Sequence, residues 1–278
     1  MKRLRVYSVP YLGWMILFIL IPSLLLIVLA FSDLNLYNVG VFDLTLSHFQ
    51  IFAQDQVVNA LWNSLKYSIV TTIICFAIGY PVAFYLSRLS EKKRKILMAL
   101  MIVPLWSNML LRIIAWEKIF TPESIISDVF GISFNLLGSE LGVLIGLVAM
   151  YLPFMIFPIF SVLEKLDSKL IEAASDLGAS RVQTFFRVIF PLSSGGVVSG
   201  VIMTMLPAMT SFVLPARIGL GNINLIGNII ESKFIKEGLG SSGQSINDGS
   251  IISLLLMVFS VLSFVAITRV DKEGETVI

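Results

Sequence analysis

The sequence is poor in charged residues, and it has one cysteine and one histidine. Charged side chains make up 14% of its 278 residues, whereas soluble domains carry about a quarter. Hydrophobic residues reach 56%, and the mean hydropathy is +0.90. A single cysteine excludes an intrachain disulfide, and we expect Cys75 to be a small core residue. The composition predicts a polytopic membrane protein rather than a soluble globular domain.

Catalytic and metal-binding patterns are also missing. The one histidine, His48, has no second histidine or cysteine nearby, so we expect a solvated loop residue and no metal site. One histidine cannot supply a Ser/His/Asp set across a membrane, and no catalytic residues are predicted. The phosphate loop GxxxxGK[ST] does not occur, so we expect no ATP hydrolysis and no cofactor in this chain. A protein without enzymatic activity is therefore predicted.

Six apolar runs are long enough to cross a bilayer, which takes about 20 residues. Five of these runs hold no charged residue, and the third holds only Arg112, near one end. The predicted spans are Tyr11–Phe31, Tyr67–Ser87, Ile96–Trp116, Leu141–Ser161, Leu192–Val213 and Ile251–Thr268. The fold class is predicted to be all-α, with six transmembrane helices.

The distribution of basic residues predicts the orientation. With the N-terminus inside, inner segments hold 14 of the 20 Lys and Arg residues, and such an excess marks the cytoplasmic side. Both termini are therefore predicted to be cytoplasmic. The first apolar run is too long for a signal peptide and is expected to remain as a helix. The polar interval between the fourth and fifth spans is then also cytoplasmic.

That interval, 163–191, has the pattern of two short helices joined by a glycine. Leu170, Ala173, Ala174 and Leu177 repeat at helical spacing and predict a narrow face of small and apolar residues over Ser168–Leu177. Gly178 is placed where a helix ends in the left-handed conformation. Ser180 and Gln183 then form a predicted capping box, and Pro191 is expected to stop or bend the second helix. We call 163–191 the elbow.

The elbow resembles the EAA motif of permease subunits in the type I binding-protein-dependent ABC importer family. Glu172, Ala173, Ala174, Gly178 and Pro191 match the motif, with Val188 and Phe190 in place of its isoleucine and leucine. The resemblance implies that this loop docks on an ATP-hydrolysing partner, which binds ATP and magnesium. The residues it assigns to ATPase coupling are Glu172, Ala173, Ala174, Asp176, Gly178 and Pro191.

The third span carries a narrower resemblance. The segment Ile102–Phe120 is similar to that of spermidine/putrescine permeases, in particular those of the B type, and the similarity runs from about Tyr11 to Thr268. The matching positions in this segment are Pro104, Trp106, Asn108, Arg112 and Trp116. The stretch 236–249 departs from the pattern and is expected to be a flexible outer loop. The implied organisation is a helix and outer loop over 1–61, a permease core over 62–268 and a cytoplasmic tail over 269–278.

The resemblance implies a permease subunit, in the cell membrane, of an ATP-driven importer of spermidine or putrescine. The implied partners are two ATP-binding subunits, a second permease subunit, an extracytoplasmic binding protein and membrane lipid, but not nucleic acid. An importer of iron, sulfate or phosphate and a non-transporting membrane scaffold are the alternatives. The substrate pathway is predicted to include Trp106, Asn108, Trp116, Glu117 and Tyr151, as carboxylate and cation–π partners of a polycation.

Overall fold

The computed structural model describes residues 10–33, 43–131, 135–237 and 244–275. These residues are mostly helical, and the β-type pairing among them is an isolated bridge between Ser32 and Leu44. A 3₁₀ helix, Ser47–Ala53, precedes α2. In chain order the helices are α1 (Pro10–Ala30), α2 (Asp55–Ser87), α3 (Glu91–Trp106), α4 (Met109–Ile119), α5 (Ile125–Phe130), α6 (Glu140–Lys165), α7 (Ser168–Asp176), α8 (Arg181–Leu192), α9 (Ser194–Met209), α10 (Val213–Ile218), α11 (Ile226–Glu231) and α12 (Gln244–Glu275).

Among the described residues, four helices are long and apolar enough to cross a membrane, namely α1, α2, α6 and the part of α12 over Ser245–Val265. Two further candidates are bent pairs, α3 with α4 and α8 with α9, which bring the number to six if each pair is one span. The all-α membrane fold predicted from the apolar runs is confirmed. The third predicted span is one of these bent pairs, and the fifth begins at the bend of the other.

The third predicted span, Ile96–Trp116, forms a bent pair of helices. α3 ends at Trp106, α4 begins at Met109, and the two helices meet at 96°. Pro104 lacks an amide hydrogen and weakens the last turn of α3. Asn108 then starts α4, because its side-chain oxygen accepts a hydrogen bond from the amide of Leu110 at 2.8 Å. A proline followed by a capping residue thus turns one apolar run into two helices.

The fifth predicted span, Leu192–Val213, consists mainly of α9, and its N-terminal end lies at the second bend. α8 continues through Pro191 to Leu192, and α9 begins after Ser193 at an angle of 63° to α8. The expectation that Pro191 stops or bends this helix is confirmed, with the bend falling two residues later. Phe185–Ile189 forms a π-helical turn just before it, and such turns are a known cause of kinks.

The first predicted span coincides with α1 to within one residue, and the second, fourth and sixth lie inside longer helices. α2 already begins at Asp55, twelve residues before the predicted Tyr67. The expected loop over 236–249 is wrong in part, since Ser232–Glu237 is a π-helix and α12 begins at Gln244. Residues 238–243 lie outside the described residues. The apolar runs predicted the membrane spans, but they missed the polar extensions of these helices.

The chain divides into two compact units. Unit 1 comprises 1–59 with 229–260, and unit 2 comprises 60–228 with 261–278. In unit 2, α6 packs against α9 and α10, and α10 also contacts α4. Gly200 permits the close approach of α9 to α6, since a Cβ there would lie 2.8 Å from the sulfur of Met155 and 3.0 Å from its carbonyl oxygen. This packing brings α9 and α10 against the long helix α6.

Candidate functional site

The elbow folds as two short helices around a left-handed glycine. Asp167 caps α7, accepting a hydrogen bond from the amide of Lys169 at 3.0 Å. Gly178 has φ +83°, which confirms the predicted turn, because L-residues with a side chain are strained there. Both hydrogen bonds of the capping box between Ser180 and Gln183 are present, at 2.9 and 3.3 Å. Local sequence therefore determines the shape of the elbow.

The surface of α7 presents an apolar face that no described residue covers. Leu170, Ala173 and Leu177 are exposed, and Leu177 is 89% exposed. Ala174, which the same spacing places next to them, is half-buried, as is Ile171, which packs on the core. Glu172, Asp176 and Gly178 are exposed, and α7 therefore offers polar and apolar groups together, as a docking helix would.

The elbow is tied to α2 through aromatic packing and one buried hydrogen bond. The Tyr80 ring lies 5.6 Å from the Phe185 ring and 5.7 Å from the Phe190 ring, centroid to centroid. Its hydroxyl is 2.8 Å from the hydroxyl of Ser193, the residue at the bend between α8 and α9. A displacement of the elbow would therefore reach α2 and α9 through packed side chains.

Two of the predicted pathway residues belong to one buried cluster in unit 2. Tyr151 is a member of it, and Trp116 packs against it. The Tyr151 hydroxyl donates to the carbonyl oxygen of Pro207 at 3.1 Å, next to the C-terminal end of α9. The carboxylate of Glu117, the residue after Trp116, has one oxygen 3.9 Å from a guanidinium nitrogen of Arg217 on α10. That oxygen is buried and has no hydrogen-bond partner among the described residues.

The other two predicted pathway residues lie at the bend of the third span. Trp106 does not belong to the cluster of Tyr151, and its side chain is 88% exposed. Asn108 is the capping residue of α4, which gives it a structural role. The structure therefore groups Trp116 and Tyr151, with Glu117 adjoining on α4, and leaves Trp106 and Asn108 apart from them.

The prediction of a solvated His48 is wrong. His48 is buried, with 3% of its surface exposed. Its Nδ1 lies 3.1 Å from a carboxylate oxygen of Asp248, and its Nε2 lies 3.1 Å from one of Asp33. The contact joins the 3₁₀ helix to the start of α12, which is also held by a hydrogen bond from Asn247 to the carbonyl of Ser32. Within the described residues, no group of three or more His, Cys, Asp or Glu side chains could hold a metal ion.

Sequence reasoning missed Tyr80, Ser193 and Arg217. Tyr80 and Ser193 are 113 residues apart, and each occurs in an ordinary apolar setting that gives no signal of pairing. Arg217 had a usable signal, because it stands beside an apolar run, where a charged side chain is costly and marks a candidate functional residue.

Comparisons with known proteins identify a family and close relatives. Residues 76–272 match the family described as "Binding-protein-dependent transport system inner membrane component". The chain is 36% identical over 253 residues to PotB, a spermidine/putrescine transport system permease protein of Haemophilus influenzae, covering 89% of this chain and 88% of the relative. PotB of Escherichia coli is 34% identical over 259 residues, covering 90% and 94%.

Solved structures with low sequence identity share the fold. A chain of a bacterial alginate ABC transporter, crystallised with a periplasmic protein bound to an alginate pentasaccharide, has a TM-score of 0.77 at 14% identity and covers 98% of this chain and 94% of its own length. A chain of the inward-facing MetNI methionine ABC transporter has a TM-score of 0.56 at 17% identity, covering 78% and 95%.

Proposed function

Because the chain belongs to the family of binding-protein-dependent transport system inner membrane components, we propose that it is the permease subunit of an ATP-driven polyamine importer. It is a multi-pass inner membrane protein, and its family is one of transport components. The observation that carries the substrate class is the 36% and 34% identity to two spermidine/putrescine permeases over about nine-tenths of both chains.

The charge distribution supports a cationic substrate. In the proposed orientation, outer segments and outer helix ends carry ten acidic and six basic residues, whereas inner ones carry eight acidic and 14 basic residues. An acidic entrance raises the local concentration of a polycation and repels an oxyanion such as sulfate or phosphate. The acidic residues on the outer side are Asp33, Asp43, Asp55, Glu117, Glu123, Asp128, Glu140, Glu231, Glu237 and Asp248.

Glu117 is the carboxylate best placed to receive an ammonium group of the substrate. Its buried oxygen has no hydrogen-bond partner among the described residues, and the nearby guanidinium of Arg217, at 3.9 Å, is at the limit of an ion pair. A substrate ammonium would supply the missing donor and form a charge-assisted hydrogen bond. The rings of Trp116, the preceding residue, and of Tyr151 would offer cation–π faces for the polyamine.

The elbow is the proposed docking point for the ATPase. The exposed groups of α7, Leu170, Ala173, Glu172 and Leu177, would insert into a groove on the partner, and Gly178 sets the angle at which α8 leaves. Motion of the partner would then reach α9 through the bend at Ser193. ATP and magnesium would be bound by the partner, with no cofactor in this chain.

The remaining proposed partners follow from the family. A transport component of this family works with a substrate-binding protein, as its description states. We propose a polyamine-binding protein on the outer face and a second permease subunit, a paralogue of this chain, to complete the pathway. Two ATP-binding subunits would complete the transporter.

The test is uptake by cells with and without this gene. Radiolabelled spermidine, putrescine, sulfate and ferric iron are supplied separately, and uptake is measured in the deletion strain and in the strain complemented with the gene. Loss of polyamine uptake alone, restored by complementation, is the expected result. Unchanged polyamine uptake with loss of sulfate or iron uptake would assign the permease to another substrate.

A further inference from the structure

A cavity lies between the C-terminal end of α2 and the elbow helices α7 and α8. Its volume is about 510 Å³, within the range of small-molecule sites, roughly 300–1,000 Å³. Residues from all three helices and the turn that joins α7 to α8 line it: Phe84, Arg88, Ile171, Ser175, Ala179, Arg181, Thr184, Phe185 and Ile189.

The lining has an apolar interior and a basic edge. Ile189 and Thr184 are buried and Phe84, Ile171 and Phe185 are half-buried, so the inner wall is mainly hydrocarbon. Arg88 and Arg181 are exposed, and none of the described residues that line the cavity is a carboxylate. Neither guanidinium takes part in an ion pair among the described residues. Arg88 instead lies over the Phe84 ring at 5.2 Å from its centroid.

The position of the cavity relative to the membrane follows from α2. That helix is a membrane span that ends at Ser87, and Arg88 is the next residue. The cavity is therefore at the depth where lipid headgroups meet the acyl chains, whichever side is cytoplasmic. Two arginines at this depth attract an anionic headgroup, and guanidinium groups bind phosphate through paired hydrogen bonds.

We propose that this cavity binds one anionic phospholipid, whose phosphate contacts Arg88 and Arg181 while an acyl chain packs along Phe84, Phe185 and Ile189. The charge of the edge selects against a neutral lipid, and the apolar interior selects against free phosphate. The cavity lies on a different face of α7 from the proposed docking face, since Ile171 and Ser175 line it whereas Leu170, Ala173 and Leu177 are directed outward. A bound lipid would thus hold α7 against the end of α2 and leave the docking face free.

The experiment measures lipid binding directly. The complete transporter, with its partner subunits, is reconstituted in phosphatidylcholine nanodiscs that contain a photoactivatable phosphatidylglycerol, and cross-linked peptides are identified by mass spectrometry. We expect labels on peptides from 84–88 and 171–189. Replacing both arginines, Arg88→Gln with Arg181→Gln, should lower this labelling roughly tenfold or more, since each basic residue near an anionic lipid contributes about fivefold.

A matched control removes the same charge next to the site. Lys92→Gln with Lys93→Gln changes two exposed basic residues of α3 that do not line the cavity, and labelling should stay within about twofold of the unmodified transporter. Ala179→Leu adds bulk inside the cavity without altering charge and should also reduce labelling. Equal labelling by a photoactivatable phosphatidylcholine, equal losses in the two double variants, or no label on these peptides would each overturn the proposal.

Discussion

The hydroxyl groups of Tyr80 and Ser193 lie 2.8 Å apart in a buried contact between α2 and the bend that separates α8 from α9. Ser193 also donates to the carbonyl oxygen of Phe190 at 3.1 Å, within the last turn of α8. The contact therefore links a membrane span to the point where the elbow enters the membrane. Because it joins α2 to the bend between α8 and α9, it is a candidate for passing movement of the elbow to these two helices.

Tyr80→Phe removes this link and leaves the aromatic packing in place. Loss of one buried hydrogen bond should lower the free energy of unfolding by about 1 kcal/mol. We expect uptake per ATP hydrolysed to fall, measured in proteoliposomes that contain the complete transporter. The matched control is Tyr85→Phe, at a tyrosine of the same helix whose side chain is 64% exposed. Equal coupling in the two variants would remove Tyr80 from the coupling route.

Substitutions at Gly178 test whether the geometry of the elbow matters for coupling. A Cβ added at this position meets no atom of the described part of the chain within 4 Å, so the cost of a side chain is assigned to φ +83°. That cost is about 1–2 kcal/mol for most residues and lower for asparagine. Substrate-stimulated ATP hydrolysis should therefore be highest in the unmodified transporter and decrease in the order Gly178→Asn, Gly178→Ala and Gly178→Val. The Gly178→Asp variant should reach the membrane but transport less substrate.

The control for Gly178 is another left-handed glycine outside the elbow. Gly131 follows α5 with φ +69°, and a Cβ there also meets no atom of the described residues within 4 Å. Gly131→Val carries the same kind of strain and should leave coupling unchanged. If Gly178→Val and Gly131→Val lose substrate-stimulated ATP hydrolysis to the same extent, the loss comes from backbone strain in general and not from the geometry of the elbow.

The elbow could be predicted from sequence because its determinants are local. The capping box, the left-handed glycine and Pro191 act within a few residues, and each was found where the pattern put it. The environment of His48 could not be predicted, since Asp248 lies 200 residues away in the chain. The break at Trp106 was missed because a hydropathy window averages over Pro104 and Asn108, whose effects on the backbone are specific to one position.

The orientation remains a prediction that two exposed serines can test. Ser47, before α2, and Ser180, in the elbow, are both exposed, so accessibility to a reagent depends on the side of the membrane. Cys75 is buried and is replaced by serine as the background. A cysteine at Ser47 should react with a membrane-impermeant maleimide in intact cells, and one at Ser180 should react only after lysis. Labelling of Ser180 in intact cells would contradict both the orientation and the ATPase contact.

A substitution at Glu117 tests whether this one carboxylate contacts a cationic substrate. Glu117→Gln keeps the shape of the side chain but removes the charge that an ammonium group would meet. A hydrogen bond to a charged group contributes about 1.5–3 kcal/mol, so KM for spermidine should rise roughly tenfold or more. Glu123→Gln is the control, because Glu123 is exposed on the same side in the proposed topology and loses the same charge.

Arg217→Gln separates a direct contact with the substrate from a general effect of charge. The guanidinium of Arg217 is the cation nearest to the Glu117 carboxylate, at 3.9 Å, and it would compete with an incoming ammonium group. Its removal should leave KM for spermidine unchanged or lower it by a few fold, since one weak, partly exposed ion pair contributes up to about 1 kcal/mol. In the Glu117→Gln background the same change should have no further effect, because the carboxylate is already absent. An equal rise of KM in Glu117→Gln and Glu123→Gln would show that the acidic outer surface as a whole, and not Glu117, attracts the polyamine.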